Sequence, residues 1–121
     1  MHELGIVEGW LSTARQAADG HRVKRCRVSV GERAGVDFGA LDFAFQAAAP
    51  RFLGTDQAQL AVTRVPARLR CAGPGGCGAE YAFAEQGAIC PRCGATTPEW
   101  ISGLELRLDS IVIDEQEPPN V

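Results

Sequence analysis

Lysine is nearly missing from this 121-residue chain: Lys24 is the single one, and 12 Lys and Arg face 15 Asp and Glu for a formal charge of −3. A deficit of that sign disfavours a general nucleic-acid binder, whose affinity comes from neutralising phosphates. No apolar run approaches the roughly 20 residues needed to span a bilayer, and the start, Met-His-Glu, is polar. Both features lead to the expectation of a soluble cytoplasmic protein with no membrane association. Internal repeats and extended low-complexity segments are missing as well. So are a nucleophile paired with a base and a glycine loop of the phosphate-binding kind, and the expectation is a protein that binds something and catalyses nothing.

Cysteine is what the chain has in a concentrated form. Four of its five cysteines fall between Cys71 and Cys93, in two glycine-rich turns, Cys71-Ala-Gly-Pro-Gly-Gly-Cys77-Gly78 and Cys90-Pro-Arg-Cys93-Gly94. Two such turns joined by the hairpin Gly78 to Ile89 can place four sulfurs tetrahedrally around one zinc ion, which is the pattern of a zinc ribbon. The second turn has the two-residue spacing that wraps a metal, and Gly94 permits a left-handed backbone there. In the first, five residues separate the cysteines, four of them Gly or Pro, which describes an enlarged turn with both ligands kept. Disulfides or a Cys90/Cys93 redox pair are the competing readings. Neither explains the sequence as well, because nothing points to an oxidising compartment and a redox pair leaves the first turn without a purpose. Cys26 could stand in for Cys71, but it shares the parity of Val28 and Val30 and reads as a small core residue of a strand.

Periodicity supplies the rest of the fold. Leu4, Val7, Leu11, Ala14 and Ala18 form a helical stripe that should end at Asp19-Gly20. Arg22 to Gly31 alternates, with Cys26, Val28 and Val30 on one face and Arg25, Arg27 and Ser29 on the other, as a half-exposed strand does. A second helix should be capped by Asp37 and run through Phe38, Leu41, Phe45 and Ala48 to Pro50. Leu60 and Val62 open a further strand that continues irregularly past Pro66 toward Cys71, and Leu104, Leu106 and Leu108 alternate in a last strand whose parity shifts near Ser110. The expectation is an α+β protein with a small three-stranded β-sheet packed against two α-helices and an inserted zinc-ribbon lobe. Residues 1–67 plus 100–115 would form the α+β domain and 68–99 the zinc lobe, with 116–121 a frayed tail. Hinges near Ala67 to Arg70 and near Pro98 would let the two move separately.

Met1, His2 and Glu3 place an amine, an imidazole and a carboxylate on consecutive residues. Methionine is normally retained before a residue as bulky as histidine, so the amine, the amide nitrogen between the two residues and the imidazole can close fused chelate rings. Nitrogen donors of that kind suit Ni(II) or Cu(II), whereas thiolates suit zinc. Read alone, a histidine at position 2 is usually a solvated terminus, and Glu3 serves the helix dipole. The basic run Arg22-Val23-Lys24-Arg25-Cys26-Arg27 is most often a solvated face, although on an acidic protein it can dock an acidic partner.

Taken together, Met-His-Glu, the stretch Gly31-Glu32-Arg33-Ala34-Gly35-Val36-Asp37 followed by Leu41-Asp42-Phe43-Ala44-Phe45, the turn Cys-Pro-Arg-Cys-Gly, and Gly103-Leu104-Glu105-Leu106 resemble the HypA/HybF family of hydrogenase nickel-incorporation proteins. The resemblance covers essentially the whole length. It implies a nickel metallochaperone, with transient Ni(II) on Met1, His2 and Glu3 and structural Zn(II) on Cys71, Cys77, Cys90 and Cys93. It also implies the HypB GTPase and the [NiFe]-hydrogenase large subunit as partners. Asp37 is by this resemblance a further nickel ligand, while from the residues alone it is a helix cap. One departure stands out: the family pattern has two residues between the cysteines of the first turn, and this chain has five. The alternative, a zinc-ribbon module binding nucleic acid or protein, would want basic and stacking residues on the ribbon. Between Cys71 and Cys93 there is only Arg92, with Tyr81 and Phe83 as the aromatics.

Overall fold

The computed structural model describes residues 2–114, so Met1 and the tail expected to fray, 116–121, lie outside the described residues. The helices are α1 (His2–Ala18) and α2 (Phe38–Ala48), the latter followed by a single 3-10 turn at Ala49–Arg51. The strands are β1 (Arg22–Gly31), β2 (Gln59–Val65), β3 (Arg68–Cys71), β4 (Glu80–Ala82), β5 (Pro98–Ser102) and β6 (Leu106–Asp114). They form two three-stranded sheets, ordered β2-β1-β6 and β4-β3-β5. The chain divides into two compact units. One contains the chain up to Ser29, Gly35–Thr63 and the chain from Arg107; the other contains Val30–Ala34 and Arg64–Leu106.

In the first unit, α1 ends where its sequence says it must, at Asp19 and Gly20, both with positive φ (49° and 87°). Its buried stripe is Glu3, Val7, Trp10, Leu11, Ala14 and Ala18. Leu4, expected in that stripe, is 40% exposed, and Glu3 takes its place. The reason is angular: Glu3 lies one full i+4 step before Val7, at the centre of the stripe, while Leu4 falls at its margin. Asp37 caps α2 as expected, extended at φ −90° and ψ 124°, its Oδ1 accepting the Ala40 N–H at 2.9 Å. Leu41, Ala44, Phe45 and Ala48 then turn inward, and with Val7, Leu11, Cys26 and Val28 they make the core. Burial pushes the Cys26 thiol up to about 11, as suits a packing residue with no reactive role.

Ser29 departs from its expected exposed face and is 6% exposed. Its hydroxyl donates to Asp109 of β6, which also accepts from Arg107 Nε at 2.8 Å. The Ser29 hydroxyl first, and Arg107 second, hold the Asp109 carboxyl below its usual range. Along β6 the alternation fails at Asp109 and Ser110, both exposed in succession, where the parity shift was expected.

In the second unit, β3 is the central strand, antiparallel to β4 and to β5. Leu69 pairs with Tyr81 on one side and Trp100 on the other, and Cys71 lies beside Pro98. Arg68–Cys71 and Pro98 are thus tied into a ladder on both edges of β3, which overturns the expectation of hinges there. Arg70 reaches across to Glu80 (3.4 Å) and Glu99 (3.9 Å), exposed pairs that contribute about 0–1 kcal/mol each. Phe83 carries Trp100 stacked at 5.7 Å and the Arg33 guanidinium 4.4 Å from its ring centre.

Candidate metal centre

Strand β3 ends at Cys71, and everything that follows returns to it. Cys71 donates its N–H to Ala79 (2.8 Å) and accepts the Gly78 N–H (3.1 Å); Cys90 likewise donates to Ala95 (2.9 Å) and accepts from Gly94 (2.9 Å). In each turn, therefore, the first cysteine bonds through its carbonyl to the glycine just after the second cysteine, and through its N–H to the residue beyond. Gly78 and Gly94 occupy the left-handed region at φ 76° and 78°, where a side chain would be strained.

The three additional residues of the first turn leave this closure untouched. They are taken up in a small loop sealed by the Gly76 N–H on the Gly73 carbonyl at 3.0 Å, and Thr97 Oγ1 donates to the Ala72 carbonyl at 3.3 Å. Gly76 has no room for a side chain, since a Cβ would come within 2.8 Å of the Ala72 carbonyl oxygen and 2.9 Å of its carbon. Gly76→Ala is accordingly expected to destabilise the lobe by about 1–3 kcal/mol, as overpacking does. Metal release to a chelator at a fixed temperature, compared with that of a control at an exposed position of the same lobe such as Glu85→Gln, measures it.

These turns bring all four sulfurs within 4.8 Å of one another. Cys71 Sγ lies 3.4 Å from Cys93 Sγ, Cys77 Sγ lies 3.7 Å from Cys90 Sγ, and none of the five cysteines is in a disulfide. Cys71 and Cys90 are buried, whereas Cys77 and Cys93 face solvent. Beneath them a small core of Leu69, Cys71, Tyr81 and Cys90 is edged by Ala79, Phe83, Ala88 and Ala95. Tyr81 spans the lobe and donates its hydroxyl to the Ala88 carbonyl at 2.6 Å, anchoring the approach to the second turn. Sequence reasoning saw Tyr81 only as an aromatic; the signal it passed over was a single Tyr in a short strand facing Leu69.

The thiols are poised unequally. Cys71 accepts the Cys77 N–H at 3.3 Å, which favours its thiolate, but the proton shared with Cys93 and burial outweigh that and hold it up at about 11. Burial also opposes ionisation of Cys90, yet the backbone N–H groups of Cys93 and Arg92 prevail and bring it down to about 7. Tyr81 is raised by burial first and by the neighbouring thiolates second. A cation among the sulfurs would displace the remaining protons and relieve the crowding of negative charge.

At the other candidate site, Glu3 is buried at 8% exposure in the first turn of α1, and its Oε2 lies 3.6 Å from His2 Nε2. The Asp37 backbone N–H donates to that same Oε2 at 3.4 Å. Asp37 thus meets Glu3 through its main chain, while its exposed carboxylate turns to the start of α2. His2 remains 63% exposed in its side chain. The structure brings His2, Glu3 and Asp37 together at the start of the two helices, and this main-chain contact was not legible from sequence.

An α+β fold carrying a lobe in which four cysteine sulfurs converge defines a protein with a thiolate metal-binding module. The chain belongs to the family described as HypA, hydrogenase/urease nickel incorporation, metallochaperone, whose pattern it matches over residues 1–113. It is 35% identical over 119 residues to the hydrogenase maturation factor HypA of Chlorobium luteolum, covering 96% of this chain and 98% of that one. Against the hydrogenase maturation factor HypA of Geobacter metallireducens it is 32% identical over 114 residues, covering 94% and 100%. In fold it is similar to the solution structure of the Ni metallochaperone HypA from Helicobacter pylori, with a TM-score of 0.67 at 24% identity over 93% of this chain and 97% of the other.

Proposed function

We propose that this chain binds Ni(II) through the amine of Met1, His2 and Glu3 and delivers it during maturation of [NiFe]-hydrogenase, with the HypB GTPase and the hydrogenase large subunit as partners in the cytoplasm. It catalyses no reaction of its own. The four thiolates of Cys71, Cys77, Cys90 and Cys93 hold a structural Zn(II). Nickel binding belongs to the unit that carries α1 and α2, and zinc binding to the one that carries β3, β4 and β5.

The observation that carries the nickel reading is the placement of Glu3, a carboxylate buried at the first turn of a helix beside His2 and steadied by the Asp37 N–H. Hydrogen bonds, the Asp37 N–H among them, hold the Glu3 carboxyl down at about 2, so it stands beside His2 as a carboxylate ready to meet a cation. His2 lies in the first turn of α1, where backbone N–H groups have no partner within the helix, so its amide can lose its proton and join a chelate. The zinc reading is supported by sulfur spacing: four bonds of about 2.3 Å to a tetrahedral zinc put sulfurs about 3.8 Å apart, close to the separations of 3.4 and 3.7 Å.

Asp37 acts here by positioning. Its side chain fixes the start of α2, and its N–H then meets Glu3. Asp37→Asn keeps a capping oxygen and the N–H, so nickel affinity is expected to change by less than about tenfold. Glu3→Gln, which removes the carboxylate but keeps an acceptor for that N–H, should abolish the site. Nickel titration of both variants tests the assignment; if Asp37→Asn lost nickel as completely as a His2 variant, Asp37 would be a primary ligand.

A further inference from the structure

The basic run of β1 has a use that neither metal site absorbs. Arg25, Arg27 and Ser29 share one face of the strand, opposite the fully buried Cys26 and Val28, and Ser29 bonds to Asp109 on the neighbouring β6. Arg107, two residues before Asp109, joins the same face and is 61% exposed in its side chain. Asp109 is the acid of this face, and it is already engaged by Ser29 and Arg107. Among the described residues, Lys24, Arg25 and Arg27 form no ion pair, whereas Arg22, at the start of the strand, is paired with Asp56 at 3.0 Å. On a chain of net charge −3, the half-buried Arg25 and the exposed Arg27, two positions apart on one face of a strand, are a concentrated exception.

We propose that this face of β1 and β6 docks an extended acidic segment of a partner protein, with carboxylates at alternate positions. Spacing and chemistry both favour that occupant. Alternate residues of a strand lie about 6.6 Å apart, so a segment in extended conformation matches the Arg25–Arg27 interval carboxylate for guanidinium. The planar guanidinium is suited to bidentate pairing with carboxylates. Arg25, Arg27 and Ser29 bring no aromatic to this face of β1 on which a base could stack, and the overall negative charge opposes a long polyphosphate. The inference stands independently of the nickel assignment.

The probe is a fluorescein-labelled peptide of about ten residues alternating Glu and Thr, followed by anisotropy at about 50 mM salt, where screening of exposed charges is weak. A Gln-Thr peptide, a thymidine oligonucleotide of equal length and phosphatidylglycerol vesicles are run beside it. The full chain should bind the Glu-Thr peptide saturably and in preference to the other three. Arg25→Gln/Arg27→Gln should weaken that binding by about tenfold or more with helix content and metal content unchanged, and added salt should weaken it in the wild type. Equal binding by the double variant, no saturable binding of the peptide, or tighter binding of the oligonucleotide or the vesicles overturns the proposal.

Discussion

Cys90→Ser/Cys93→Ser is expected to lose its zinc entirely and to unfold the β3–β5 lobe, while α1 and α2 remain helical. The magnitude follows from how little else holds the lobe. Its hydrophobic core consists of Leu69, Tyr81 and two of the cysteines themselves, with partly buried neighbours, and such a core is too small to fold unaided. The binding energy of a structural zinc is largely folding energy, on the order of 10–16 kcal/mol at neutral pH for small thiolate sites. Removing two ligands removes most of it. The first unit has its own core in Val7, Leu11, Val28, Leu41 and Phe45, so the loss should stop at the lobe. Elemental analysis gives the zinc, and the two tryptophans divide the fluorescence: Trp100, stacked on Phe83, should lose its environment while Trp10, buried in α1, keeps it. Zinc retained at full stoichiometry would refute the four-thiolate assignment.

His2→Ala is expected to lower nickel affinity beyond the roughly 10–100-fold that loss of an outer-shell partner costs, because on the proposed assignment it removes a ligand from a fused chelate. The fold should not change, since His2 is exposed at the start of α1 and supports no packing. Nickel affinity of the native chain should also fall as pH drops, because an amine, an amide and an imidazole bind metal only after releasing their protons. The direction is opposite to that of a site stabilised by protonation.

Much of this was legible in the sequence because its signals are local. The cysteine turns announce themselves through spacing and glycine, and Asp37 through its place before an apolar periodic stretch. Strand β1 was bounded correctly by alternation alone. What stayed hidden depends on contacts between distant segments. Ser29 looked exposed because its partner, Asp109, is 80 positions away. Glu3 read from its own neighbours as a helix-dipole residue because nothing nearby in the chain says that the α2 cap delivers an N–H to it. The short strands β4 and β5 carry too few residues to show a period, and Arg68–Cys71 resembled a hinge because the ladders on its two sides come from residues after the first turn.

The most direct test of nickel binding at the terminus is calorimetric titration of nickel into the untagged chain and into the same chain extended by one N-terminal glycine, with zinc measured in both. Extension turns the amine of Met1 into an amide and moves histidine out of second position, while leaving every side chain in place. The account predicts one nickel per native chain, no comparable binding by the extended chain, and the same zinc content in each. One nickel bound as tightly by the extended chain would contradict it and move the metal to other groups, such as the cysteines or His21.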